Sequence, residues 1–168
     1  KEFFVDKVIN TYKVYEQKNA IQKDNTIGTY YFTEDKYNEM KRFECLPGDI
    51  IMSCSGTMGK LYVLPKNSEK GIINQALCKF SLNERVTPNY FINYFSMTID
   101  NLDTKGSSIK NIAAVSYVKA MKILIPPIEI QEEYEKIINE IDLMIVINNK
   151  KIEKYNELYK CKCNNYFN

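Results

Sequence analysis

The chain of 168 residues contains no histidine, and its five cysteines are an odd number. Without histidine there is no Ser-His-Asp or Cys-His nucleophile arrangement and no usual catalytic zinc ligand set. The most frequent acid–base group of enzymes is also gone. No apolar run approaches the roughly 18–20 residues of a membrane span, and no signal-peptide pattern opens the chain. The chain starts at Lys1 rather than Met, so either a trimmed start or trimmed preceding sequence is expected. Cys45, Cys54, Cys78, Cys161 and Cys163 give no disulfide framework and point to a reducing cytoplasm. Cys161-x-Cys163 lacks the second ligand pair of a four-ligand zinc site and reads as incidental. No metal and no cofactor are expected. Carboxylates are plentiful but form no catalytic pair: Glu34-Asp35 and Glu132-Glu133 are sequence neighbours, which do not converge on one site of a helix.

What is present is 45% hydrophobic and 26% charged residues, enough for one compact globular domain with an appendage. The net charge of +2 hides an asymmetry. Residues 1–128 hold 17 Lys plus Arg against 13 Asp plus Glu, whereas residues 129–168 hold 6 against 8. This mild excess permits nucleic-acid binding without demanding it. Residues 1–44 are polar, rich in Tyr and Lys, and weakly periodic. Leu46-Pro47-Gly48-Asp49 is turn chemistry leading into Ile50–Cys54, a buried strand. Strands are also predicted at Leu61–Leu64, Ala76–Leu82 and 121–125. Thr87-Pro88 opens a helix with Tyr90, Phe91, Tyr94, Phe95 and Met97 on its apolar face. Irregularly mixed strands and helices imply an α+β fold. Domains are expected at 1–127 and 128–168, the second a long coiled-coil helix with a tail.

That helix carries Tyr134, Ile138, Ile141, Ile145, Asn148, Ile152, Tyr155 and Tyr159 at alternating steps of four and three, a heptad seam with one polar member. From Glu129 to Lys160 it would run roughly 48 Å. A domain with a radius of gyration of about 14 Å cannot cover it, so part of it must find a partner. Residues 129–142 carry six acids and one Lys, and residues 143–163 carry five Lys and two Glu. Two readings fit: macrodipole complementarity within one helix, and antiparallel pairing with a like helix.

Ser55-Gly56-Thr57-Met58-Gly59-Lys60 lacks the spacing of a phosphate-binding loop and precedes a strand, so it reads as a hairpin turn. Lys7–Lys23 interleaves lysines with Tyr12, Tyr15 and Gln17, a set able to meet phosphates, sugars and bases. The alternative is a solvated surface over half-buried tyrosines. Lys105–Asn111 joins glycine and serine to two lysines, either a phosphate-contacting loop or an ordinary surface loop.

Three blocks in order resemble the specificity subunit of type I restriction–modification systems. They are Gly48-Asp49-Ile50-Ile51 with Ser55-Gly56-Thr57-Met58-Gly59-Lys60, the stretch Gly106-Ser107-Ser108-Ile109-Lys110-Asn111, and Ile125-Pro126-Pro127-Ile128-Glu129-Ile130-Gln131 with its helix. The resemblance implies a non-catalytic target-recognition module reading one half of a bipartite double-stranded DNA site. It also implies methyltransferase and restriction subunits as partners, with the helix as spacer and docking surface. Complete members carry two modules and two helices, whereas this chain has one of each. A half-subunit or fragment is therefore implied, completed by an antiparallel homodimer or a second module. The adenine-methyltransferase motif N-P-P-Y or D-P-P-Y is missing. DNA contacts are expected from Lys13, Tyr15, Lys18, Lys23, Tyr30, Lys60, Lys105, Ser107, Ser108, Lys110 and Asn111, with residues 7–42 as the main reading segment. The competing reading is a protein-interaction module that docks a partner through its helix and binds no DNA. No membrane partner is expected.

Overall fold

The computed structural model describes residues 3–103 and 118–167. The chain separates into two compact units, Lys1–Ile125 and Pro126–Asn168. In order, the first unit holds strand β1 (Tyr12–Tyr15), helix α1 (Gln17–Gln22), β2 (Tyr31–Phe32), α2 (Glu34–Glu39), a 3-10 turn (Lys41–Phe43) and β3 (Glu44–Cys45). There follow β4 (Ile50–Ser53), β5 (Leu61–Val63), β6 (Gly71–Ile73), β7 (Leu77–Phe80) and α3 (Pro88–Asp103). The second unit holds α4 (Ile128–Phe167). The α+β class expected from the sequence is what the chain adopts.

The described residues form two sheets. One has the order β2-β1-β6-β3, with β1 and β6 parallel and the outer pairs antiparallel. The other is antiparallel, β5-β4-β7. Strand β4 explains its unbroken apolar run: Ile50 and Met52 pack with Leu61, Phe91, Phe95 and Ile99 on the α3 side. Ile51 faces the other way, into Tyr15, Ala20, Cys45, Leu64, Ile73 and Leu77. A strand covered on both faces needs no polar alternation. Strand β1 behaves likewise: Val14 joins Phe32, Tyr37 and Ile72, and Tyr15 joins the cluster beneath β4.

Residues 1–44, read from sequence only as a polar stretch, thus contain a central strand, β1, and the edge strand β2 of the first sheet. Their short span and the Lys13 and Tyr residues inside them hid the pattern. The expected strand over 121–125 is absent; residues 121–127 belong to no strand or helix. Met121 and Ile123 do pack into the α3 cluster. These apolar residues therefore serve burial against a helix and not a hydrogen-bonded ladder. The Tyr90 hydroxyl donates to the Leu124 carbonyl at 3.0 Å and holds this strap. On α3, Met97 is exposed and Ile99 takes the buried place.

The proline-to-helix junction has a local cause. Pro127 lacks a donor, and its carbonyl accepts from the Ile130 and Gln131 amides at 3.1 and 3.2 Å. Gln131 then reaches back with Nε2 to the Pro126 carbonyl at 2.8 Å. This side-chain tie is the physical content of the P-P-x-x-x-Q pattern.

The 55–60 segment is a hairpin turn, as read, and β5 follows it. Ser53 closes it: its hydroxyl donates to the Thr57 carbonyl at 2.6 Å and accepts from the Lys60 amide at 3.0 Å. Gly56 and Gly59 take positive φ of 60° and 82°. A Cβ on Gly59 would also lie 2.8 Å from Ile99 Cγ2 of α3, whereas one on Gly56 would meet only Gln17 Nε2 at 3.4 Å. Gly56→Ala should cost about 1 kcal/mol of stability from backbone conformation, and Gly59→Ala about 3 kcal/mol because overpacking adds to it. Urea unfolding of both variants tests this, and equal losses would contradict the packing argument.

Candidate nucleic-acid interface

Helix α1 is short and polar, yet two of its residues are fully enclosed. Asn19 accepts the Glu16 amide on Oδ1 at 2.8 Å, forming a capping box with Glu16. Its Nδ2 donates outward to two carbonyls of the following loop, Asp24 at 2.8 Å and Ile27 at 2.9 Å. The amide thus spends both donors and its oxygen on backbone. Lys23 ends the helix in the left-handed region, φ 51°. Asp24 Oδ1 accepts from the Thr26 amide and hydroxyl, both at 2.7 Å.

Lys13, on β1, completes this arrangement from below. Its side chain is 1% exposed, and Nζ donates to the Thr26 carbonyl at 3.0 Å. Glu69 Oε1 stands 4.0 Å away. Burial lowers the ammonium from its ordinary pKa, against the opposing pull of Glu69. Glu69 also pairs with Lys7 at 2.8 Å and accepts from the Tyr31 hydroxyl at 3.1 Å. Burial pushes its carboxyl up, but the bonds from Lys7 and Tyr31 outweigh that and hold it low. Its main-chain carbonyl accepts from the Tyr15 hydroxyl at 2.5 Å.

The expected DNA contacts therefore divide. Lys13 and Tyr15, expected from spacing among the DNA contacts, are buried in this structure. Lys18 and Lys23 are exposed on α1 and its cap, and Lys60 is exposed at the mouth of the 55–60 hairpin. Lys18 Nζ lies 2.8 Å from Glu16 Oε2. The Gln17 side chain donates to the Ser55 carbonyl, so α1 and the hairpin form one surface. Tyr30 is half-buried, stacked on Phe4 with ring centroids 4.5 Å apart. Lys105, Ser107, Ser108, Lys110 and Asn111 lie outside the described residues.

Sequence reasoning passed over Asn19, Asn25, Thr26 and Glu69. The Glu16-x-x-Asn19 spacing was a usable signal for the cap; Glu69 offered none. A second basic group sits around the stacked rings of Tyr12 and Tyr37, whose centroids are 3.9 Å apart. Lys70 lies over both rings and pairs with Glu44 at 3.4 Å, and Lys36 pairs with Glu39 at 2.6 Å. Lys36 and Lys70 are met by carboxylates, as Lys18 is by Glu16, so Lys23 and Lys60 are the stronger candidates for phosphate.

Among the described residues no group of side chains is arranged to hold a metal ion, and no helix is long and apolar enough to cross a membrane. All five cysteines are unpaired, and burial pushes the Cys45 thiol up to about 12.

The fold resembles a solved chain from work on the "structural basis underlying complex assembly and conformational transition of the type I R-M system", with TM-score 0.60 and 13% identity. The match covers 87% of this chain and 34% of that one, so the present chain spans about a third of its length. Residues 41–157 match the family described as "Type I restriction modification DNA specificity domain". That is most of the sequence, and the chain belongs to this family. No curated protein matches it. The family is defined by DNA specificity, a non-catalytic role.

Lys18, Lys23 and Lys60 give a measurable expectation. Replacing Lys23 and Lys60 together with Ala should lower the slope of log binding constant against log salt by roughly 1.8, because each phosphate contact contributes about 0.9. Anisotropy titrations of a mixed-sequence duplex at several salt concentrations check it; an unchanged slope would take this surface out of the interface.

Proposed function

We propose that this chain recognises one half of a bipartite double-stranded DNA target and directs methyltransferase and restriction subunits to it. The observation carrying this reading is the family match across the two compact units, residues 41–157. The exposed lysines beside the closed loop 23–28 supply the physical counterpart: cations for phosphate register next to polar side chains for base edges. Lys105, Ser107, Ser108, Lys110 and Asn111 stay in the proposal on their chemistry alone. The setting is the interior of the cell, where DNA and a reducing environment coexist.

Helix α4 supplies the partner surface. Ile141, Ile145, Ile152, Tyr155 and Tyr159 of the seam are all exposed. Pairing two copies antiparallel about the point between Val146 and Ile147 sets Ile141 against Ile152, Ile138 against Tyr155, Tyr134 against Tyr159 and Ile145 against Asn148. Each acidic half then lies beside a basic half. A two-stranded seam leaves Leu143, Met144, Val146 and Ile147 uncovered, and these are exposed as well. Leu143 to Ile147 make one turn of the helix apolar on all sides, which calls for neighbours on more than one side. Methyltransferase subunits packed on the paired helices meet that need, and a second module of a longer chain would replace the homodimer partner.

Two measurements test the reading. Salt-dependent duplex binding by the whole chain separates it from a protein-docking module, which predicts no phosphate-neutralisation slope. Sedimentation should show a dimer for the wild type and a monomer for Ile141→Glu plus Ile152→Glu. A monomeric wild type at high micromolar concentration would overturn the self-pairing.

A further inference from the structure

A lysine inside a sheet is costly, since an ammonium taken from water is not repaid by one carbonyl and a carboxylate at 4.0 Å. Methionine would fill the same place on β1 without that cost. What Lys13 does is specific: it and Asn19 bind three carbonyls of one loop, those of Asp24, Thr26 and Ile27. With every inward carbonyl of Asp24, Thr26 and Ile27 engaged, the loop has its shape set from below. Its outer side carries Lys23 and Thr26, which are exposed, and Asn25, which is half-exposed. Lys18 and the hairpin with Lys60 border it.

We propose that the loop 23–28 is the base-reading element of this domain, with Asn25 and Thr26 as specificity-determining residues and Lys13 and Asn19 as positioning residues beneath them. The proposal rests on the DNA-recognition reading above. An asparagine amide matches the N6 and N7 edge of adenine in the major groove, and the Thr26 oxygen keeps acceptor capacity after donating to Asp24. A reader held from inside loses no ordering entropy at the moment of binding, which is what discrimination between similar edges needs. Lys13 then acts on sequence choice without touching DNA.

The test is selection from a partly randomised duplex pool by the whole chain, followed by salt titration on the selected and on a random duplex. Asn25→Ala and Thr26→Ala should each reduce the preference for the selected over the random duplex by about ten-fold or more, relaxing one base-pair position, which for Asn25 is an A·T pair. The salt slope should stay as in the wild type. Lys13→Met leaves the Thr26 carbonyl without its donor, so it should fold with a thermal midpoint at or below that of the wild type, relax the same positions, and keep the slope. A slope lowered by about 0.9 would make Lys13 a phosphate contact and overturn its positioning role. A uniform loss on both duplexes would make its role merely structural and also overturn it. Should Lys13→Met fail to fold, the substitutions at Asn25 and Thr26 still decide the assignment of the loop. A wild type that selects a half-site while both loop variants select it equally well overturns the loop alone. A wild type with no salt-dependent duplex binding overturns the DNA reading, and this assignment with it.

Discussion

Strand β4 has no solvent face, and the rest of the first unit is arranged around that constraint. Four consecutive residues, Ile50 to Ser53, are buried. One face must be roofed by α3 and the other by α1 with the core of the first sheet. Helix α1 is thereby pinned although it is only six residues long and has little helix-forming strength of its own. Pinning α1 fixes Asn19, and Asn19 fixes the loop that follows. The same strand ends at Ser53, whose hydroxyl closes the neighbouring hairpin. Hydrophobic burial thus determines where two surface loops stand, and polar side chains buried behind them determine their shape.

The sequence made this partly legible. Strands β4, β5 and β7 stood out because their apolar runs are bounded by turn chemistry, and α3 because Thr87-Pro88 marks its start. Helix α4 was the clearest element, since a heptad sustained over many turns leaves little alternative. The first sheet was hidden for a physical reason: β1 is four residues long, is paired in parallel with the distant β6, and contains a lysine. Local pattern carries no record of a partner more than fifty residues away. The strap before Pro126 misled in the opposite direction, because its apolar Met121 and Ile123 are there to pack on α3 and carry no information about strand pairing.

For the interface the lesson is sharper. Lys and Tyr interleaved at the surface and Lys and Tyr interleaved in a buried strand look the same in sequence. Lys18 and Lys23 proved exposed, whereas Lys13 and Tyr15 form the wall behind them. The segment 7–42 thus mixes exposed residues with buried ones. It contains strands that belong to the core, and exchanging it whole between relatives would exchange their cores as well. Reader and scaffold alternate within a few residues, so what can be exchanged is the single loop 23–28.

The enclosure of Lys13 has a practical consequence. An amine-directed acylating reagent in water modifies exposed lysines quickly, but it reaches Lys13 only when β1 and the loop above it separate. The rate at which Lys13 acquires label is thus a clock for local opening of the domain, readable residue by residue in a mass spectrum. Occupancy of the loop by a ligand would slow that clock without any change at the lysine itself.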